Sequence, residues 1–510
     1  MASEARYSIG VDLGTTNCVI SYCDLLCPDE PAKVMSIPQK TMDGSEVKLD
    51  HLPSFIYFSP KSNWKKGQLN TPFLNHEGPI HFLLGQGAKD MALFQPERVV
   101  FAAKSWLSHR GCDPQAKFLP WNSEILSEAD SISPFGATVL LLKYLRGVWS
   151  HKMHDYPLSK QEVTITVPAS FDDVAQRLTR EAALAAGYPE NLRLLEEPVA
   201  AFHSYIASNA EKAADWSDGF QVLVIDIGGG TTDFSLFKKS GRQKSEVPHL
   251  ERIATSSHLL LGGDNIDRTV AAWLENKISP EQRLSIQQWP LLLTEARRLK
   301  EKILGEPIEE QTWHVAISGG GSDLFGDNYT CSISSKEVSD IVLRGFFPQI
   351  SVDERPKRRS GLTSLGLPYA NDPAITRHLA AFLAGASVDA VLFAGGSLKP
   401  SSAQQRIVDQ IALWQGSTPL AIETANMDTA ISIGASVYKL LHGIVRAPYP
   451  KSLYTMVDQG GKNSLVCIVP KGFSGSKSLI FEDAGLQVRV GQPVNFKIFG
   501  SRTRSDAFGE

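Results

Sequence analysis

Two apolar runs along the chain end in an aspartate and then break into a small-residue turn. The segments DLGTTN (Asp12 to Asn17) and DIGGGTTDF (Asp226 to Phe234) each follow a β-like run and each lead into another. In both, a strand ends, a glycine-rich turn follows and Thr-Thr opens a returning strand, which predicts a β-hairpin whose tip can face an anion. The pair is a weak internal duplication. Two such hairpins facing each other would hold a polyphosphate between them.

Helical spacing separates these segments. Ser133 and Pro134 supply an N-cap and a first-turn proline ahead of Val139, Leu142 and Leu145. Asp172 is expected to cap a helix carrying Val174, Leu178 and Ala182 that stops at Gly187. Pro198 opens a third helix, and Asp264 a fourth with Ile266, Val270 and Leu274. A fifth, from Pro290, repeats Leu292, Ala296, Leu299 and Ile303. Strands alternating with helices predict an α/β protein. After about Gly443 the character changes. Tyr449 to Gly500 is rich in Gly, Pro, Ser and Val, with period-two fragments such as Leu486-Val488-Val490, and is expected to be a separate β-rich unit.

Composition narrows the function classes. With 510 residues, 42% hydrophobic and 21% charged, the chain has material for several globular units. Its 51 basic and 55 acidic residues nearly cancel without long blocks, so neither nucleic acid nor a membrane is an expected partner. No apolar stretch reaches about 18 residues, no leader is expected ahead of Tyr7, and the six scattered cysteines lack a CxxC pair. These features suggest a reducing, cytoplasmic setting.

The hairpin tips carry the first candidate chemistry. Gly14, Gly228, Gly229 and Gly230 let backbone N–H groups approach phosphate oxygens, while Thr15, Thr16, Thr231 and Thr232 add hydroxyl donors. A single DxGTT is as often an ordinary turn; two in order point to phosphate. Asp12 and Asp226 either close their own turns or together orient the waters around Mg²⁺, and the charge of a triphosphate favours the second role.

With GVDLGTTN (Gly10 to Asn17), VFAAK (Val100 to Lys104), VPASFDD (Val167 to Asp173), EEPVAA (Glu196 to Ala201), VIDIGGGTTDFSL (Val224 to Leu236), LGGDNID (Leu261 to Asp267), FAGGS (Phe393 to Ser397) and TAISIGAS (Thr429 to Ser436), the chain resembles the DnaK-type seventy-kilodalton heat-shock chaperones over residues 7 to 442. The resemblance implies a two-lobed actin-like ATPase with duplicated ribonuclease-H-like lobes. Lobe I would span about 1–210, with return helices near 134–210, and lobe II about 218–445. Residues 449–510 would resemble the start of a chaperone substrate-binding domain. It implies ATP/ADP and Mg²⁺ as cofactors, with K⁺ a further candidate. Lys104 would place the attacking water, with Asp12, Thr15, Glu197, Asp226, Thr231 and Asp233 completing the hydrolytic set. Asp12 and Asp226 would hold the metal through water. Gly14, Thr15, Thr16, Asn17 and Gly228 to Gly230 would cradle phosphates. Gly395, Gly396, Ser397, Lys399 and Asp428 would lie along adenine and ribose, with Lys399 replacing the usual arginine. Glu295, Arg298 and Lys302 would face them from the Pro290 helix, although aligning on Glu295 and aligning on Leu304 select different residues.

The resemblance further implies unfolded or peptide-like clients, a J-domain protein and a nucleotide-exchange factor. Several positions depart from it. Pro168 stands at the family's switch proline, but Gln176 replaces the partner arginine, with Arg177 beside it. Arg446-Ala447-Pro448-Tyr449-Pro450 occupies the place of the acidic, leucine-rich linker, and no helical lid follows before Glu510. The stretch Ser59 to Phe82, with Trp64, Lys65 and Lys66, is longer than usual. A small-molecule kinase on the same fold, or a nucleotide-gated scaffold or filament, are the competing readings.

Overall fold

The structure is a computed structural model and describes residues 5–510 apart from 61–81, 110, 122, 124, 128–129, 241–248, 258, 282–283, 286–287, 306–310, 318–328, 358–369, 425, 442–444, 447–450, 460–461, 474–496 and 502–503. Trp64-Lys65-Lys66 and Leu486-Val488-Val490 lie outside the described residues.

Both predicted hairpins form. Tyr7–Leu13 pairs antiparallel with Asn17–Asp24, and Gln221–Ile227 with Thr232–Lys239. Each first strand pairs on its other side with a parallel strand, Glu162–Val167 in one case and Ala390–Ala394 in the other. A further parallel strand, Arg193–Glu196 or Leu420–Ile422, extends each sheet. Beyond the hairpins, Lys33–Val34 and Leu250–Thr255 add antiparallel strands. The two sheets thus share one strand order, and the duplication glimpsed at the hairpin tips runs through whole lobes.

Each sheet is buried on both faces. In the strand Gln221–Ile227, Leu223, Ile225 and Ile227 enter one core while Val222 and Val224 enter another, as period-two geometry requires. The helices on the second faces are exchanged between lobes. Helix Glu197–Ala214 leaves the last strand of lobe I and packs on lobe II strands through Val199, Phe202 and Ile206. Helix Ala430–Val437 leaves lobe II and packs on the Tyr7–Leu13 and Asn17–Asp24 strands. Its run of small residues allows a very close approach: a Cβ on Gly10 would lie 2.1 Å from the Ser432 carbonyl oxygen.

Local signals placed most helices correctly. Ser133 accepts a hydrogen bond from the Gly136 N–H and Asp172 from the Ala175 N–H, capping helices Pro134–Lys152 and Asp173–Ala185. Gly187 follows with φ +85°. Val174, expected on the apolar stripe, is instead 53% exposed, whereas Leu178 and Ala182 are buried. The helix expected from Asp264 runs Gly263–Ile278 with Gly262 as N-cap. Its first N–H groups, of Gly263 and Asp264, donate to the Gly228 and Gly229 carbonyls, so the second hairpin's turn starts this helix and frees the Asp264 carboxylate for Arg297. The fifth helix begins at Gln288 rather than Pro290 and runs to Gly305.

The C-terminal region is β-rich. Ser452–Gln459 pairs antiparallel with Lys462–Val469 and with Ile498–Ser501. Cys467 and the final residues exchange backbone hydrogen bonds, and Tyr454 donates to Asp506 at 2.8 Å. Val445–Arg446 adds a parallel strand to the lobe II sheet beside Leu250 and Glu251. Lys451 meets Asp173 at 2.6 Å and ties the β-rich unit to lobe I. No helix among the described residues is long and apolar enough to cross a membrane.

Candidate nucleotide and hydrolysis site

The hairpin tips meet across the interlobe cleft. A Cβ on Gly229 would lie 1.8 Å from Thr16 Oγ1, and one on Gly230 would lie 3.0 Å from Thr15 Cγ2. Side chains here would drive the loops apart, which explains the glycines in physical terms. Ser54 steadies the first tip by donating to the Gly14 carbonyl at 2.8 Å, while Thr232 steadies the second by donating to the Leu261 carbonyl at 2.6 Å.

Between the tips runs a cleft of about 500 Å³. Asp12, Gly14, Thr15, Thr16, Asn17, Lys104, Glu197, Asp226, Gly228, Gly229, Thr231, Gly395, Gly396, Ser397, Lys399 and Asp428 all line it. Gly230 and Asp233 stand just behind this wall, Gly230 against Thr15 and Ser105, Asp233 directly across the hairpin from Asp226.

At one end Lys104 and Glu197 form a buried ion pair, each side chain 8% exposed. Lys104 sits in the short helix Ala103–Leu107, and the Phe171 ring lies 5.9 Å from its ammonium. Asp12 accepts from Thr166 Oγ1 at 2.7 Å. Burial first, and then the Glu197 charge, push the Asp12 carboxyl up to about 6, although Lys104 and Thr166 oppose the shift. Asp226 moves further in the same direction, by burial and by the charges of Glu197, Asp233 and Asp12. Burial works against the Lys104 ammonium, but Glu197, Asp12 and Asp226 together outweigh it and hold its pKa above the ordinary lysine value. Four buried carboxylates crowd one ammonium here. That donor set suits a cation, since extra positive charge would relieve the crowding. Among the described residues no three His, Cys, Asp or Glu side chains gather closely enough to hold a metal ion directly.

The other end is where the structure differs from the expected residue set. Glu295, Arg298 and Lys302 do not face the cleft. Arg298 pairs with Glu295 at 2.8 Å on the outer side of their helix, and Lys302 lies 4.6 Å over the Trp313 ring. Arg297, Lys300, Glu301 and Leu304 line the cleft instead. With Leu292, Ala296, Leu299 and Ile303 in the core, these four fall on the adjoining face of the helix. Arg297 bridges Asp264 at 2.8 Å and Asp267 at 2.7 Å, and Lys300 meets Asp267 at 2.6 Å. Ile266, Val342, Phe347, Ala403 and Met427 give this end an apolar lining, and His51 and Lys89 approach from lobe I. Their single positions carry no motif; only the spacing of 297, 300, 301 and 304 on one helical face was a signal.

Lys399 ion-pairs with Asp428 at 2.5 Å beside the apolar end. Gly395 needs its positive φ of 83°, and a Cβ there would lie 2.5 Å from Asp226 Oδ1. Ser397 donates to the Gly228 carbonyl at 2.9 Å and so joins this loop to the second hairpin. Cys18, beside the first tip, is buried with its thiol pushed up to about 11, mainly by burial, and so is held as the unreactive thiol.

Two lobes of one strand order, exchanged helices, and paired glycine–threonine hairpins on a polar cleft define the two-lobed actin-like class. A family model described as Hsp70 protein matches residues 65–312. A chaperone protein HscA homolog of Mannheimia succiniciproducens is 28% identical over 335 residues, 62% of this chain and 46% of the relative. The chaperone protein DnaK of Thermotoga petrophila is 26% identical over 442 residues, 86% of this chain and 60% of the relative. An HscA homolog of Cupriavidus metallidurans is 29% identical over 309 residues, 59% and 42% respectively. The chain is thus similar to Hsp70 proteins over residues 65–312 and to chaperones of the DnaK and HscA kinds at 26–29% identity. It spans about half the length of the curated relatives it matches.

Proposed function

We propose that this chain binds ATP with Mg²⁺ in the interlobe cleft, hydrolyses it slowly, and uses the resulting change of state as a molecular chaperone. The observation that carries the reading is the buried Lys104–Glu197 pair set between the two hairpins beside Asp12 and Asp226. Residues 1–445 form the nucleotide-binding unit in this reading, with lobes of about 1–210 and 218–445, and 449–510 the β-rich unit.

The backbone N–H groups and hydroxyls of Gly14, Thr15, Thr16, Asn17, Gly228 to Gly230 and Thr231 hold the phosphates without adding charge. Lys104 lies where its ammonium can hold a water for in-line attack and offset charge on the transferred group, while Glu197 fixes the lysine and orients that water. Asp12, Asp226 and Asp233 supply negative charge to a hydrated divalent cation, which lends the β- and γ-phosphates a counter-charge when bound. Gly395, Gly396, Ser397, Lys399 and Asp428 flank the nucleoside, opposed by Arg297, Lys300, Glu301 and Leu304. Lys399 covers the base with its stem and lacks the flat face of an arginine. The relatives are called chaperones, which supports peptide-like clients and co-chaperones of the J-domain and exchange-factor kinds.

Calorimetric titration with ADP tests the binding half. Affinity is expected to rise at least about tenfold when Mg²⁺ is present, because the carboxylates then face a cation rather than one another. Equal affinity with and without Mg²⁺ would show that the cleft binds nucleotide without a metal.

A further inference from the structure

The strand Leu250–Thr255 inverts the usual pattern of inward and outward residues. Leu250 and Arg252 are buried, whereas Ile253 is 48% exposed. An arginine therefore occupies a core position that an isoleucine next door would fill at lower cost. The ladder shifts register at Leu236 and Phe237, opposite this point, and such a bulge re-aims the neighbouring side chain.

The buried guanidinium ion-pairs with Glu196, with the two side chains 2% and 19% exposed. Burial brings the Arg252 pKa down to about 10, which leaves it a cation at neutral pH. The pair joins the two sheets: Arg252 belongs to the lobe II sheet and Glu196 ends the last strand of the lobe I sheet. Glu196 is held on several sides. Its backbone stands opposite Val167 in a parallel ladder, it is the N-cap of the exchanged helix, and Pro198 stiffens the first turn behind it. The next residue is Glu197, whose carboxylate pairs with Lys104.

We propose that the Arg252–Glu196 pair is an interlobe clasp that positions Glu197 for the hydrolytic step. Arg252 is then a positioning residue, coupling the relative placement of the lobes to the Lys104–Glu197 geometry; the inference rests on the hydrolytic reading above. Replacing a buried pair by neutral side chains need not weaken the fold, so stability and positioning are separable.

The test compares the full chain with Arg252→Met, Glu196→Gln, their combination, and Arg252→Lys. Melting temperature, Mg²⁺·ADP affinity and single-turnover ATP hydrolysis are measured for each. Arg252→Met is expected to slow hydrolysis about tenfold while ADP affinity stays within about twofold, because misplacement of Glu197 acts on the chemical step. Arg252→Lys keeps the charge and restores the rate to within about threefold, and the double variant is no slower than Arg252→Met alone because both changes break one link. Hydrolysis at the parent rate in Arg252→Met, or a loss of rate matched by equal losses of affinity and melting temperature, would overturn the clasp. Should the methionine variant fail to fold, Glu196→Gln carries the comparison, and an unchanged rate there overturns it. An inactive parent chain would instead bring down the hydrolytic reading, and the clasp with it.

Discussion

Asp12 and Asp226 are buried side by side with Glu197 and Asp233, so their protonation would report on the cation proposed for the site. The ordinary aspartate value is 3.8 and the folded Asp12 lies at about 6, a raised pKa. Its protonated form therefore favours the fold: the stability it contributes is fully present below 3.8 and is lost as pH rises through about 6. Asp226 shifts in the same direction. The chain without metal is thus expected to gain more melting temperature from Mg²⁺ and ADP at about pH 7.5 than at about pH 5, where protons already relieve the carboxylates. Equal gains at the two pH values would contradict this. At the apolar end, Leu304→Ala is expected to weaken ADP binding by about 1 kcal/mol through lost apolar contact with the base, read by the same titration. An unchanged affinity would place the base elsewhere. The cleft residues Asp12, Lys104, Glu197 and Asp226 were legible because each sits in a short motif; Leu304 and Arg297 were not, because a charged cleft face and a charged outer face look alike in one helix.

At the scale of elements, the crossing of Glu197–Ala214 with Ala430–Val437 makes the strictest demand on sequence. A Cβ on Gly434 would lie 1.7 Å from the Ala200 carbonyl oxygen, backbone against backbone. Gly434→Ala is expected to destabilise the chain by about 3 kcal/mol, measured by urea unfolding, because neither helix backbone can yield without shifting a lobe. A loss below about 0.5 kcal/mol would show that the helices are not locked at this point. The capped helices were readable from sequence because Ser133 and Asp172 act on backbone three residues away. The start of Gly263–Ile278 was not, because its first hydrogen bonds go to the carbonyls of a hairpin 35 residues earlier. Arg252 was likewise hidden, since its partner Glu196 lies in the other lobe.

Over the whole molecule, the repeated strand order explains why two turns of six to nine residues betrayed a fold of two lobes. Motif order revealed the cleft, whereas the contacts between the β-rich unit and lobe I are ones that no local pattern encodes. Gln176 donates to the Phe171 carbonyl at 3.3 Å, and Arg177 points outward to Glu181, so the replacement of the expected arginine leaves a link toward the Lys104 side of the site. Lys451 and Asp173 join the β-rich unit to the helix that carries Gln176. Peptide affinity of the full chain is accordingly expected to differ about tenfold between ATP and ADP, and Lys451→Glu to shrink that difference. Affinity indifferent to nucleotide in both would separate the β-rich unit from the ATP cycle. Hydrolysis of ATP in the interlobe cleft is the core of the proposed function, and a single-turnover measurement in Mg²⁺ is its direct test. Slow release of one phosphate per chain is expected, reduced at least about 100-fold in Lys104→Ala while that variant still binds ADP. Hydrolysis at the parent rate without Lys104, or no hydrolysis by a parent chain saturated with ATP, would contradict it.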